Sequence, residues 1–159
     1  PAALQSVLYY YGEEFREDVL IQELKATPEN GTNYREMANF AKSRGFDVQI
    51  FQRMTLDQFK LLLDQKQPVI IALQAWADQK VNYMDDLEDG HYVVAIGYDA
   101  QRIYFMDPST LGNYAYIPTP EFLQRWHDTY ADNTRLVQFG MVITKKEPAY
   151  DPDSFIYMK

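Results

Sequence analysis

The chain contains no cysteine. This removes disulfides, zinc–thiolate sites, iron–sulfur clusters and any thiol nucleophile from the 159 residues themselves. It assigns no redox compartment, so localisation stays open. Positive charge is also scarce: 15 Lys and Arg stand against 23 Asp and Glu, for a formal charge of −8. A surface of that sign repels phosphate groups, so neither nucleic acid nor an anionic membrane surface is an expected partner. Long apolar runs are missing as well. The longest covers residues 68–77 and is broken by Gln74, whereas a membrane-spanning helix needs about 20 apolar residues. Histidine and tryptophan occur twice each, so every copy can be weighed singly.

What is present suits a folded domain. Apolar residues reach 47% and charged residues 24%, a balance that excludes disorder. Thirteen tyrosines suggest rings lining a surface groove as well as a core. The length matches one domain, taken as residues 1–144 with a tail over 145–159 carrying Pro148 and Pro152. The first residue is Pro1 and not Met, so the expected N-terminus is processed, truncated or incomplete, with any targeting segment upstream.

Periodicity places helices first. Leu4, Val7, Leu8 and Tyr11 repeat at helical spacing over residues 1–11, and Gly12 follows as a stop. A second helix is expected over 17–25. A third is expected to be capped by Thr32 and ended by Gly45. Phe46, Val48 and Ile50 alternate as a half-buried strand does. Thr55 and Gln58 fit a capping box for a fourth helix. Residues 69–73 read as a buried strand and 78–90 as an acidic loop. Residues 91–98 and 102–106 read as a hairpin, and 114–117 as a strand. A helix starts at Thr119-Pro120-Glu121, with Phe122, Leu123, Trp126 and Tyr130 on its apolar face and His127 in the same segment; a last strand covers 136–144. Helices followed by strands give an α+β fold: N-terminal helices packed on a mostly antiparallel sheet.

The hairpin brings chemistry together. His91 opens its first strand and Asp107 follows its second, so both fall at the same open end. A carboxylate accepting an imidazole N–H fixes the tautomer and stabilises the charged ring. His91 and Asp107 are therefore the candidate catalytic pair, a base and its orienting acid. Gln74 and Trp76, where the buried strand runs out, are the candidate substrate contacts. A nucleophile is harder to find. Ser6 lies inside the first helix, and Ser109 is too near Asp107 to face the base. Asp85, Asp86, Glu88 and Asp89 lack the spacing of a calcium loop; they read as a solvated acidic loop, and no metal site is expected. His127 reads as an ordinary helix residue.

The stretch Pro1-Ala2-Ala3-Leu4-Gln5-Ser6-Val7-Leu8-Tyr9-Tyr10-Tyr11-Gly12 resembles the opening helix of bacteriocin-processing peptidases, papain-like cysteine enzymes that cut double-glycine leader peptides. Gly31-Thr32, Pro68-Val69-Ile70-Ile71-Ala72, Gly90-His91-Tyr92-Val93-Val94 and Tyr104-Phe105-Met106-Asp107-Pro108 follow in that family's order, and residues 122–126 are similar to its closing helix. The resemblance covers roughly residues 1–130 and implies a papain-like fold. It implies His91 as general base and Asp107 as orienter. It also implies a Cys-Gly pair directly before Pro1, with the Cys as nucleophile, and an upstream Gln lining the oxyanion hole. A thiol there would feel the positive end of a helix dipole, which favours thiolate.

Three functions follow as expectations. The first is a cysteine peptidase-like hydrolase of peptide bonds, needing no cofactor, acting on a peptide or protein and open to fusion with other domains. The second is a catalytically inactive peptidase-like domain that binds a peptide or leader segment. The third is acyl or γ-glutamyl transfer by the same groups.

Overall fold

The computed structural model describes residues 1–27, 31–88, 90–107, 114–129, 134–145, 153 and 156–159. Chain order is α1 (Ala2–Tyr10), α2 (Glu17–Glu23), α3 (Tyr34–Ser43), β1 (Phe46–Phe51), α4 (Leu56–Asp64), β2 (Val69–Gln74), β3 (Gly90–Tyr98), β4 (Arg102–Met106), β5 (Ala115–Pro118), α5 (Thr119–Arg125), β6 (His127–Thr129), β7 (Arg135–Val137) and β8 (Gly140–Lys145).

Local signals account for most of these elements. In α1, Ala3, Leu4, Val7 and Leu8 form the buried stripe. Gly12 ends the helix with φ +85° while its N–H closes on the Tyr9 carbonyl, a backbone that only glycine adopts without strain. The capping box before α4 is complete: Gln58 N–H donates to Thr55 Oγ1 at 3.1 Å, and Thr55 N–H to Gln58 Oε1 at 3.0 Å.

Three local expectations are corrected. The cap of α3 is Asn33, whose Oδ1 accepts the Arg35 N–H at 2.8 Å; Thr32 is buried, and its hydroxyl meets no partner among the described residues. His127 lies on a strand and not on a helix. Trp126 has ψ 63°, outside the helical range, and its carbonyl accepts the N–H of Gln138 at 3.0 Å instead of an N–H of its own helix. That bond draws 127–129 into pairing with 135–137. For the same reason the expected last strand divides into β7 and β8, with Gln138 at φ +48° between them. Tyr130 and most of the expected tail lie outside the described residues.

The sheet has the order β1-β8-β2-β3-β4-β5, and every neighbouring pair is antiparallel. β2 is buried at all six positions, which an antiparallel strand shows only when both faces of its sheet are covered. On one face, Ile70, Ala72, Val94, Met141 and Ile143 pack with α1, α2 and α3 through Leu4, Leu8, Leu20 and Met37. On the other, Ile71, Leu73, Val93, Ala95 and Phe105 pack with α4 and α5. Phe59, Phe122 and Trp126 form an aromatic cluster there, with centroids 4.8–5.3 Å apart. Burying Phe122 alone contributes about 1.5–3 kcal/mol. The expected helical layer is thus joined by a second one on the opposite face. Among the described residues no helix is long and apolar enough to cross a membrane.

Candidate active site

The hairpin delivers the pair that its sequence promised. Val94 pairs with Met106 in β3–β4, so Asp107, one residue on, lies opposite Val93. His91 shares the Val93 face of β3 and is the diagonal neighbour of Asp107, within reach of a long side chain. The imidazole Nε2 lies 2.6 Å from Asp107 Oδ1. The Asp107 side chain is 4% exposed and that of His91 23%, so the acid is enclosed while the ring reaches solvent. An ionised carboxylate only accepts. Nε2 therefore carries the proton in this pair, and Nδ1 holds the lone pair.

Trp76 comes to the same acid. Its indole N–H donates to Asp107 Oδ2 at 2.5 Å, and the residue remains 58% exposed. Gln74, the other candidate for substrate contact, is fully buried and offers no surface to a ligand. Its amide nitrogen donates to the His127 carbonyl at 3.1 Å and to Asp128 Oδ1 at 3.3 Å. Gln74 thereby ties the end of β2 to β6. Ser6 donates to the Ala2 carbonyl at 3.0 Å, a bond within its own helix. Ser109 lies outside the described residues.

Asp128 supports the strand mouth from below. A Cβ on Gly90 would lie 2.3 Å from Asp128 Oδ1, so only glycine lets the carboxyl approach the residue before His91. Burial pushes the Asp128 carboxyl above its ordinary pKa, against the opposing pull of the Thr129 N–H, Gln74 and His127. His127 donates from Nε2 to the Asp86 carbonyl at 2.7 Å and so anchors the acidic loop. Among the described residues no three His, Asp or Glu side chains converge as metal ligands would. A cavity of about 320 Å³ adjoins Asp107, with Trp76, Tyr83, Tyr116 and Arg125 in its lining. Arg125 stacks over the Tyr83 ring at 3.9 Å and pairs with Glu121.

Sequence reasoning missed Asp128 and the indole bond. Gly90 before a strand was the one available sign of a close approach; nothing local pointed to Trp76 as a donor.

Helices on an antiparallel sheet, in this order, are the architecture of the papain-like cysteine peptidases. The chain belongs to the Peptidase C39 family, whose model matches residues 1–131. The peptidase domain of Streptococcus ComA, a bi-functional ABC transporter involved in quorum sensing, superposes with a TM-score of 0.65 at 17% identity, over 91% of this chain and 88% of that one. A C39-like peptidase structure from Bacillus anthracis gives 0.61 at 14%, over 92% and 88%. A double-glycine-motif protease of an AMS/PCAT transporter, solved with the leader peptide, gives 0.58 at 17%, over 91% and 82%. At these identities the structural likeness speaks to the fold alone. No curated protein matches the chain.

Proposed function

We propose that residues 1–144 form a cysteine peptidase unit that hydrolyses peptide bonds, with its thiol directly upstream of Pro1, His91 as base and acid, and Asp107 as orienter. The single observation that carries this reading is the 2.6 Å contact between His91 Nε2 and Asp107 Oδ1. It commits one ring nitrogen to the acid and leaves the other for chemistry. Family membership over residues 1–131 supports it.

The reaction follows from these groups. The thiol at the start of α1 gives its proton to the His91 Nδ1 lone pair, and the thiolate that remains is favoured by the helix dipole and the imidazolium. It attacks the carbonyl carbon of the scissile bond, and the N–H groups of the first helical turn are available to the developing oxyanion. His91 Nδ1–H gives its proton to the leaving amine, which departs and leaves a thioester. His91 then takes a proton from water, the hydroxide attacks the thioester carbonyl, and the acid product leaves as thiolate returns. Asp107 holds the ring throughout and stays ionised.

A peptide substrate is the corresponding partner. One structural neighbour was solved with a leader peptide and another is a domain of a transporter; we extend to this chain both an extended peptide ligand and fusion to other domains. The test is the full-length protein, including the residues before Pro1, mixed with a peptide carrying a Gly-Gly pair and followed by mass spectrometry. Cleavage is expected, and its loss in His91→Ala with folding intact. A full-length protein that binds the peptide and leaves it whole would replace this reading with that of an inactive, peptide-binding domain.

A further inference from the structure

We propose that Trp76 is a positioning residue for the catalytic pair. Its indole N–H locks the Asp107 carboxylate so that the carboxylate can lock His91. The consequence for turnover rests on the peptidase reading above; the bond itself does not.

Three observations converge. Trp76 stands at φ +60°, a left-handed backbone that a bulky L-residue adopts only when its surroundings compensate the strain. The turn falls two residues beyond the end of β2 and directs the side chain to the carboxylate beyond β4. Trp76 is 58% exposed, so hydrophobic burial does not explain the strained backbone. What the ring does secure is a 2.5 Å bond to an ionised partner, and charge-assisted bonds are the strong ones. Asp107, in turn, meets His91 on one oxygen and Trp76 on the other. A planar carboxylate held by a donor at each end cannot rotate about its Cβ–Cγ bond. With the indole donor removed, Oδ2 loses the bond that Trp76 supplies, the plane is held less firmly, and the template for the Nε2–H tautomer is loosened.

An exposed tryptophan beside a cavity also suits the substrate contact that its position in the sequence suggested. The two roles separate kinetically. A positioning residue acts on the chemical step, whereas a uniform binding contact acts on KM.

These 159 residues hold two tryptophans, and loss of one indole N–H signal in Trp76→Phe assigns that of Trp76. Trp126 donates to the Phe139 carbonyl inside the core and serves as the internal reference. In ¹H–¹⁵N spectra of the full-length protein, the Trp76 indole proton is expected far downfield and slow to exchange despite its exposed ring. In Asp107→Asn it should move upfield and exchange faster. Trp76→Phe should lower kcat about tenfold, the cost of loosening one such bond, with KM within about twofold, and should convert the His91 ring ¹⁵N shifts from one tautomer to a mixture. A Trp76 indole that exchanges freely and ignores Asp107→Asn overturns the proposal, whether or not the protein cleaves peptides. So does a Trp76→Phe enzyme with kcat intact and KM raised. Should Trp76→Phe fail to fold, the Asp107→Asn spectrum decides alone.

Discussion

The β3–β4 hairpin carries an aspartate at each end, and the two are held in opposite ways. At the closed end, Asp99 accepts the N–H groups of Gln101 and Arg102 on one oxygen, both at 2.8 Å, and the Tyr104 hydroxyl on the other at 2.5 Å. All three partners lie within five residues, and the carboxylate is exposed. At the open end, Asp107 is buried and its partners, His91 and Trp76, are 16 and 31 residues away in sequence. Asp99 is satisfied as soon as the chain turns. Asp107 meets these two partners only when β2, β3 and β4 are all in register. Burying a carboxylate costs several kcal/mol unless it is fully bonded, so the open end depends on the whole sheet and the closed end on five residues.

The largest effect expected from this contrast is on turnover. In Asp107→Asn an amide faces two donors, the His91 Nε2–H and the Trp76 indole N–H. It can offer its oxygen to one of them only; its NH₂ meets the other. When the NH₂ meets the imidazole, the ring must shift its proton to Nδ1, the nitrogen that the chemistry requires. We expect peptide cleavage by the full-length protein to fall on the order of 10³–10⁴-fold, with little change in KM. Steady-state kinetics on the Gly-Gly peptide measures it. A kcat within about tenfold of the parent would mean that the two aspartates are functionally alike and the contrast is empty.

The same division explains what the sequence reveals. Features with local causes were legible: the α1 stripe ended by Gly12, the Thr55–Gln58 capping box, the buried run of β2, and the hairpin that pairs His91 with Asp107. The hairpin is the informative case: its two strands are consecutive, so their open ends meet, while a bulge between Ala95 and Gly97 that the sequence does not announce moves Asp107 from opposite Val94 to opposite Val93, on the face of His91. What was not legible needed a partner far along the chain. The exit of Trp126 from the helix depends on Gln138, and helical periodicity at Phe122 and Trp126 gave no warning of it. Gln74 reads as a substrate contact because it stands where the buried strand runs out; only the fold brings the Asp128 carboxyl to its amide. Asn33 and Thr32 are both competent caps, and burial of Thr32 decided between them.

A third carboxyl sharpens the comparison through pH. Asp128 is raised by burial, so the folded state holds its proton more tightly than the unfolded chain does. In the interval above the ordinary carboxyl value of 3.8, the folded protein binds more protons at this site, and its stability declines as pH rises through that interval. Asp128→Asn removes the ionisation while keeping an oxygen to accept from Gln74 and the Thr129 N–H. Urea midpoints taken from about pH 3 to about pH 7 should show the variant gaining on the parent as pH increases. A constant difference across that range would locate the burial cost elsewhere.

The smallest effect belongs to Asp99, and its sign is the reverse. The Tyr104 hydroxyl, ahead of the Gln101 and Arg102 N–H groups, holds this carboxyl below its ordinary value. Its contribution is therefore fully present above the unfolded carboxyl pKa and is lost as pH falls through the lower, folded value. Asp99→Asn keeps the acceptor for both N–H groups, and the Tyr104 hydroxyl can rotate to accept from the new amide. The turn should persist, with a slight loss of melting temperature at neutral pH that vanishes in acid, where the parent carboxyl is itself protonated. Cleavage of the Gly-Gly peptide should match the parent, since nothing at this end reaches His91. A strong loss of turnover in Asp99→Asn would show that the closed end of the hairpin sets the position of the open one, and the two aspartates would then belong to a single device.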